Sequence, residues 1–465
     1  MQFAENTPYD VLTEKWEPVL GHDALPSIKD DYRKKVTAVL LENQEQALRA
    51  QHLTEDMASN NLGMPTSYTN TGAVSGYDPV LISLVRRSMP NLMAYDICGV
   101  QPMTAPTGLI FAMRSNYAFG GTQGTTYGAA GYVEAQFQEP QPSFGGSGWT
   151  LDATFAASKG VSAGWNFGSG VTSTAAQLAA LRGILTGNGE GIGKNAPYQN
   201  WNQMAFSIDR VAVQARTRAL SSNYTVELAQ DLKAVHGLDA EAELANLLST
   251  EILAEINREI VKTIYYVSKS GSQQNDLVTK GIYDLDQDSD GRWSAERFRG
   301  LSFQIERECN AIAKETRRGK GNFIVCDSDT AAALAMSGFM SLSPAIAPQL
   351  NVDDTQSTFA GVLNGKIRVY IDPYSPLGFN FFCAGYKGES PYDAGLFYCP
   401  YVPLQMVRAV DPNTFQPRIA FKTRYGVVAN PYVLNSGLQP DGETLTAGLN
   451  QYYRLTSVTH LHGNT

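Results

Sequence analysis

The sequence predicts an α+β protein. Residues 239–269 have the spacing of one long helix, a helix and strand layer follows, and separated strand-like segments close the chain. No fixed-period repeat runs through the 465 residues.

Taken in order, residues 1–55 carry ten acidic and six basic side chains. Apolar residues at Val36, Val39, Leu40 and Leu48 give this segment one modest helical stripe. It reads as a polar helical arm docked on a core. Residues 56–79 have the Ser, Thr, Asn and Gly content of a linker. An apolar segment follows, broken at Pro90 and Pro102 into a short helix and extended chain. Residues 107–117 alternate as a strand. Residues 118–200 hold 17 glycines but seven charged side chains, which marks an insertion of loops and short strands. A helix is expected only near 174–185, and 203–213 is expected to pair with 107–117 as the stalk of the insertion.

The long helix starts with Asp239 as cap and Glu241 and Glu243 in its first turn, where the macrodipole favours carboxylates. Leu244, Leu247, Leu248, Ile252, Ile256, Ile260 and Ile264 form its stripe, and Lys269–Gly271 is the expected stop. About 30 residues give roughly 45 Å, the length of a strut. A second helix covers about 294–317, followed by the strand GNFIVCDS and a short helix in DTAAALAMSG. KIRVYIDPY, FNFFCAGYKG, DAGLFYCPYVPLQMVRAV and FQPRIAFKTRYGVVANPY are strand-like.

Composition bounds function. Hydrophobic residues are 43% and charged residues 17%, which excludes a disordered polyelectrolyte. A net charge of −9 excludes an ordinary basic duplex-binding protein. Cys98, Cys309, Cys326, Cys383 and Cys399 contain no Cys-x-x-Cys pair and read as buried thiols of a reducing compartment. Neither a membrane span nor a secretory signal is expected.

A catalytic constellation is not found. His22, His52, His236, His460 and His462 make no metal pair on a helix, and His460 and His462 fall in a polar tail. GNGEGIGKN (187–195) fails as a phosphate loop: Asn188 stands where Gly is needed and Asn195 where Ser or Thr is needed. Residues 286–291 place Asp286, Asp288 and Asp290 at alternate positions before Gly291, the front half of a Ca²⁺ loop. Arg297 occupies the position of the required bidentate Glu, so weak Ca²⁺ binding or a plain polar turn are the two readings. Arg317, Arg318 and Lys320 form the densest basic cluster, and Arg86 and Arg87 a second. Each is either a helix-end feature or an assembly contact to a neighbouring subunit or nucleic acid.

Several long stretches resemble the major capsid proteins of T-even-type (T4-like) tailed bacteriophages. They are 85–117, 224–261, 291–326, 359–372 and 393–426, and together they span most of 85–430. The resemblance implies the HK-97-type capsid fold: a long spine helix, an axial domain, an extended loop carrying an inserted domain, and an N-terminal arm. On that pattern 1–55 is a propeptide-like arm and 56–117 the N-arm and start of the extended loop. Residues 118–205 are the inserted domain and 206–300 the peripheral domain with spine helix 239–269. Residues 301–400 are the axial domain, and 401–465 the return strands and C-terminal tail.

The function implied is structural: a non-enzymatic shell subunit forming hexameric capsomers around double-stranded DNA. It would be assembled in the bacterial host cytoplasm and retained in the virion. Implied partners are other copies, the vertex protein, scaffold, prohead protease, decoration proteins and, non-specifically, packaged DNA, with no cofactor. The related vertex protein and an encapsulin-type shell protein are the alternatives. The protease of such phages is expected to cut after Leu53-Thr54-Glu55, before Asp56, where charged helix gives way to Ser/Asn-rich chain.

Overall fold

The computed structural model describes residues 8–21, 28, 30–59, 92–118, 133–134, 186–191, 203–274, 276–289, 293–342, 358–376, 378–390, 392–411, 415–430, 445 and 447–461. Helices α1 (Pro8–Leu20), α2 (Asp31–Ser59) and α3 (Ala94–Ile97) lead into strands β1 (Gly99–Val100) and β2 (Thr107–Ala118). The short β3 (Val133–Glu134) and α4 (Thr186–Gly189) precede β4 (Gln203–Gln214) and β5 (Arg216–Asn223). Next come α5 (Val226–His236), α6 (Ala240–Val267), β6 (Ser268–Ser270) and β7 (Ile282–Asp284). Then follow α7 (Ser294–Thr316), β8 (Phe323–Cys326), α8 (Ser328–Met336) and β9 (Met340–Leu342). The chain closes with β10 (Thr358–Leu363), β11 (Ile367–Ile371), β12 (Asn380–Gly385), β13 (Leu396–Val410), β14 (Pro417–Ala429) and β15 (Asn450–Thr459). The fold class is α+β, as expected.

Helix α6 is the expected strut. Asp239 caps it by accepting from the Glu241 amide, and Ile252, Ile256, Ile260 and Ile264 are fully or almost fully buried. Two details differ from the expectation. Leu247 is 63% exposed, because it lies off the face on which Leu244, Leu248 and Ile252 meet the core. The stop is not a cationic turn with glycine: Ser268 is extended and starts β6, and Lys269 pairs with Glu315 instead. Strand pairing outcompetes the local stop signal here.

The strut packs against a four-stranded sheet, β1-β13-β14-β5. The register of β13 on β14 shifts between Pro400 and Val402 and again before Gln405. Prolines 400 and 403 cannot donate to a ladder, so bulges are the physical consequence. Arg218 on β5 ties sheet to strut, with Nη1 2.7 Å from Glu255 Oε2 and Nη2 2.6 Å from Glu259 Oε2.

An eight-stranded sheet, β6-β15-β12-β8-β11-β10-β9 with β7 on β15, forms the second layer. α7 and α8 pack on it over Leu301, Ile305, Ile312, Ile324 and Phe382. At its centre Gly385 lies opposite Phe323, and a Cβ there would stand 2.2 Å from the Phe323 ring. Glu308 is buried without becoming an orphan. It accepts from the Ser272 amide at 3.0 Å, from Gln274 at 2.7 Å and from Gln304 at 3.0 Å, and pairs with Arg454 at 3.4 Å.

The expected stalk is present: β2 and β4 pair antiparallel from Thr107↔Gln214 to Ala118↔Gln203. The inserted segment and the expected helix at 174–185 lie almost wholly outside the described residues. The boundaries drawn at 55/56, 117/118, 205/206, 300/301 and 400/401 all fall inside α2, β2, β4, α7 and β13. The last strand, β15, sits inside the large sheet between β6 and β12.

The N-terminal arm is more deeply seated than its modest stripe suggests. Val36, Ala38, Val39, Leu40 and Leu41 are all buried, between α1 on one side and α3 and β13 on the other. A helix held from two sides is buried beyond one stripe.

Candidate functional site

The hairpin β2–β4 places its two faces in different surroundings. At its base, Ile110, Val211 and Val213 point inward onto Met103, Phe397, Cys399 and Val428. The opposite face holds Leu109, Phe111, Met204, Phe206 and Ile208, all exposed, with Phe206 at 69%. The register puts Leu109 opposite Ala212, Phe111 opposite Arg210, and Phe206 opposite Ser115, so these side chains share one face. Large side chains in a row on the open face of a two-stranded ribbon are unstable in water unless covered. The signal was legible as apolar residues at both parities of the strand, Leu109-Ile110-Phe111, which implies burial on both faces. The alternation expected of 107–117 assigns these residues only to a stalk.

A second uncovered set lies at the free end of the four-stranded sheet. Val226 and Leu228 on α5, Val407 and Val410 on β13, and Phe415 are exposed, and no residue of α5 is buried.

The residues singled out for metal binding are engaged within the chain. Asp288 accepts from the Val278 amide at 3.1 Å and the Asp284 amide at 3.0 Å. Asp286 pairs with Arg297, the residue that replaces the missing bidentate Glu. Asp290 lies outside the described residues, and among the described residues no group of three His, Cys, Asp or Glu could hold a metal ion. The loop is a turn that ties β7 to the start of α7. His460 Nδ1 is 2.8 Å from Asp284 Oδ1, which anchors the end of the chain to the same turn.

The basic cluster separates. Arg318 Nη1 is 3.5 Å from Asp393, and Lys320 pairs with Glu306. Arg317, in the left-handed conformation that closes α7, is exposed, and its Nε donates to the Lys314 carbonyl. Arg86 and Arg87 lie outside the described residues. Leu53, Glu55 and Asp56 do not mark the end of the helix: α2 continues to Ser59. The helix carries on through the polar sequence because Glu, Ala and Met at 55–58 are adequate helix formers.

The five cysteines are buried. Burial pushes the thiols of Cys98, Cys309, Cys383 and Cys399 up to about 12. They stay protonated and inert at neutral pH. Among the described residues no helix is long and apolar enough to cross a membrane.

A strut, a projecting hairpin with an uncovered apolar face, and inert internal polar groups define a subunit made for association. Comparison with known proteins agrees. Residues 74–458 match the family described as Major capsid protein Gp23. The major capsid protein of Enterobacteria phage T4 is 36% identical, over 92% of this chain and 93% of the relative. That of Vibrio phage KVP40 is 35% identical over 90% and 93%. The T4 capsid vertex protein is 32% identical over only 49% of this chain and 53% of its own length. Among solved structures, a chain of Mycobacterium phage Bobi aligns over 85% of this chain and 95% of its own, at 10% identity and a TM-score of 0.38. The chain belongs to the major capsid protein Gp23 family. It is a structural shell protein and not an enzyme.

Proposed function

We propose that this chain is the hexamer-forming subunit of a phage head, and that the open face of β2–β4 is the surface it buries against a neighbouring copy. The single observation that carries this is the row Leu109, Phe111, Met204, Phe206 and Ile208 left uncovered together on one face of the hairpin. Each such side chain is already about half out of water, so covering the rest contributes on the order of 1 kcal/mol. The greater extent of the match to major capsid relatives favours the hexamer subunit over the vertex protein.

Phe206→Asp is expected to leave the subunit folded, since the side chain touches solvent, and to abolish closed particles in electron microscopy. Closed shells at normal yield with Phe206→Asp would refute the assignment of that face. A catalytically active, monodisperse monomer of the parent chain would refute the function itself.

On this reading the vertex protein closes the shell, scaffold and decoration proteins bind it at different stages, and double-stranded DNA lies non-specifically against its inner surface. The prohead protease removes the arm after Glu55. Proteases bind extended chain, so the last turns of α2 must unwind first. Subunits from mature particles are expected to begin at Asp56 by intact mass, and Glu55→Gln to retain Met1. A mature chain that keeps its arm would contradict this.

A further inference from the structure

Helices α1 and α2 form a unit closed on itself. Lys15 Nζ is 2.6 Å from Glu42 and 2.7 Å from Glu45, Trp16 Nε1 donates to Glu42 at 3.2 Å, and Lys35 pairs with Asp10 at 2.9 Å. The unit docks on the rest of the chain at the β1 edge of the four-stranded sheet. Tyr32 donates its hydroxyl to the Val100 carbonyl. Asn43 Nδ2 donates to the carbonyls of Met103 and Tyr401, each at 2.8 Å, and Arg33 Nη2 is 2.6 Å from Asp96. The apolar part of the contact joins Val36, Leu40 and Leu41 to Tyr95, Ile97 and Leu404. The arm therefore covers a sheet edge and gives partners to carbonyls that an edge strand leaves open.

Every residue it docks on in those contacts lies at or beyond Tyr95, while α2 ends at Ser59. The 32 residues between Ser59 and Leu92 span at most about 105 Å when extended. The connection thus places little restriction on which copy of the edge the arm meets. The same contacts made on a second copy have the same chemistry, and exchange of an identical element is a low-cost route to association.

We infer that the surface formed by α3, β1 and β13 is a self-docking site whose occupant in the assembly is the α1–α2 unit of a neighbouring copy. This rests on the reading of the chain as a shell subunit. In the shell, neighbouring copies hold arm and edge at high effective concentration, so exchange needs no new contact, only geometry that permits it. The contact is a removable link between subunits as well as a cover on each.

The test uses full-length chains with the Arg33–Asp96 pair altered. Arg33→Asp sets two carboxylates against each other, and Asp96→Arg sets a guanidinium against Arg33 and beside Arg368, which lies 3.7 Å from Asp96. The arm of each single variant is expected to be cut by added protease about tenfold faster than in the parent chain. Mixing the two variants allows the altered arm of one to meet the altered edge of the other. Both arms should regain protection, that of the R33D chain on the D96R edge as a reversed pair and that of the D96R chain on the R33D edge as the parental pair, and mixed species should appear in light scattering. Intact mass after protease treatment distinguishes the two arms. A double variant, R33D with D96R in one chain, restores the pair and shows that each substitution folds. If the double variant is protected while the mixture is not, the arm docks only within its own chain and the inference is wrong. That outcome leaves the shell assignment standing, because parent particles in electron microscopy test it separately.

Discussion

Ile256→Asp is expected to eliminate shell formation by unfolding the subunit. Ile256 is fully buried at the middle of α6, in the core shared by the strut, the arm and both sheets. An aspartate there must be buried as an unpaired carboxylate or take up a proton, and either costs several kcal/mol. Total stability of a domain is about 5–15 kcal/mol, so the loss removes most of the margin. The expected readout is insoluble protein, with chemical denaturation of any soluble remainder beginning near zero denaturant. Leu247→Asp, nine residues earlier on the same helix, should have almost no effect on folding because Leu247 is largely in water. Similar losses for both variants would show that the helix phase is wrong.

Gly426→Ala is expected to disable assembly while leaving most of the subunit folded. Gly426 lies in β14 where β4, the second strand of the hairpin, crosses it. An added Cβ would stand 2.5 Å from Val213 Cγ1 and 2.8 Å from the Gln214 carbonyl oxygen. The second contact is backbone, which no rotamer change relieves. The hairpin base must move, at a cost of about 1–3 kcal/mol. A small displacement at the base swings the distant face that carries Phe206 and Ile208 out of position. Folding measured by circular dichroism should change little, and particle yield should fall by more than an order of magnitude, the effect of ~1.4 kcal/mol. Particles formed at parent yield would mean that the hairpin base tolerates the movement and that this crossing does not set the hairpin's direction.

The two substitutions separate what packing does inside the subunit from what geometry does between subunits. In the parent chain both depend on the same core, since the hairpin base sits on β13 and β14 and these sit on α6.

By itself the sequence determined the local elements with strong periodic patterns. The stripe of Ile252, Ile256, Ile260 and Ile264 with the Asp239 cap defined α6 to within one or two residues, because hydrophobic spacing and capping are local properties. The strand character of 107–117 and 203–213 was legible for the same reason, and their pairing as a stalk followed from the resemblance. The absence of a catalytic pattern and the long resemblance to capsid proteins pointed to a shell subunit, which the family match then supported. Tertiary structure decided what depends on partners remote in sequence. Ser268–Ser270 became a strand because β15, some 180 residues later, offers pairing groups that the helix stop signal cannot anticipate. The arm became part of the core because α3 and β13 present a second apolar wall to α2. Arg297 closed the acidic loop on itself, and only coordinates reveal that Asp286 faces it. Exposure of the hairpin face is likewise a tertiary fact: a strand's alternation says which residues share a face, while only the packed subunit says which face still lacks a neighbour.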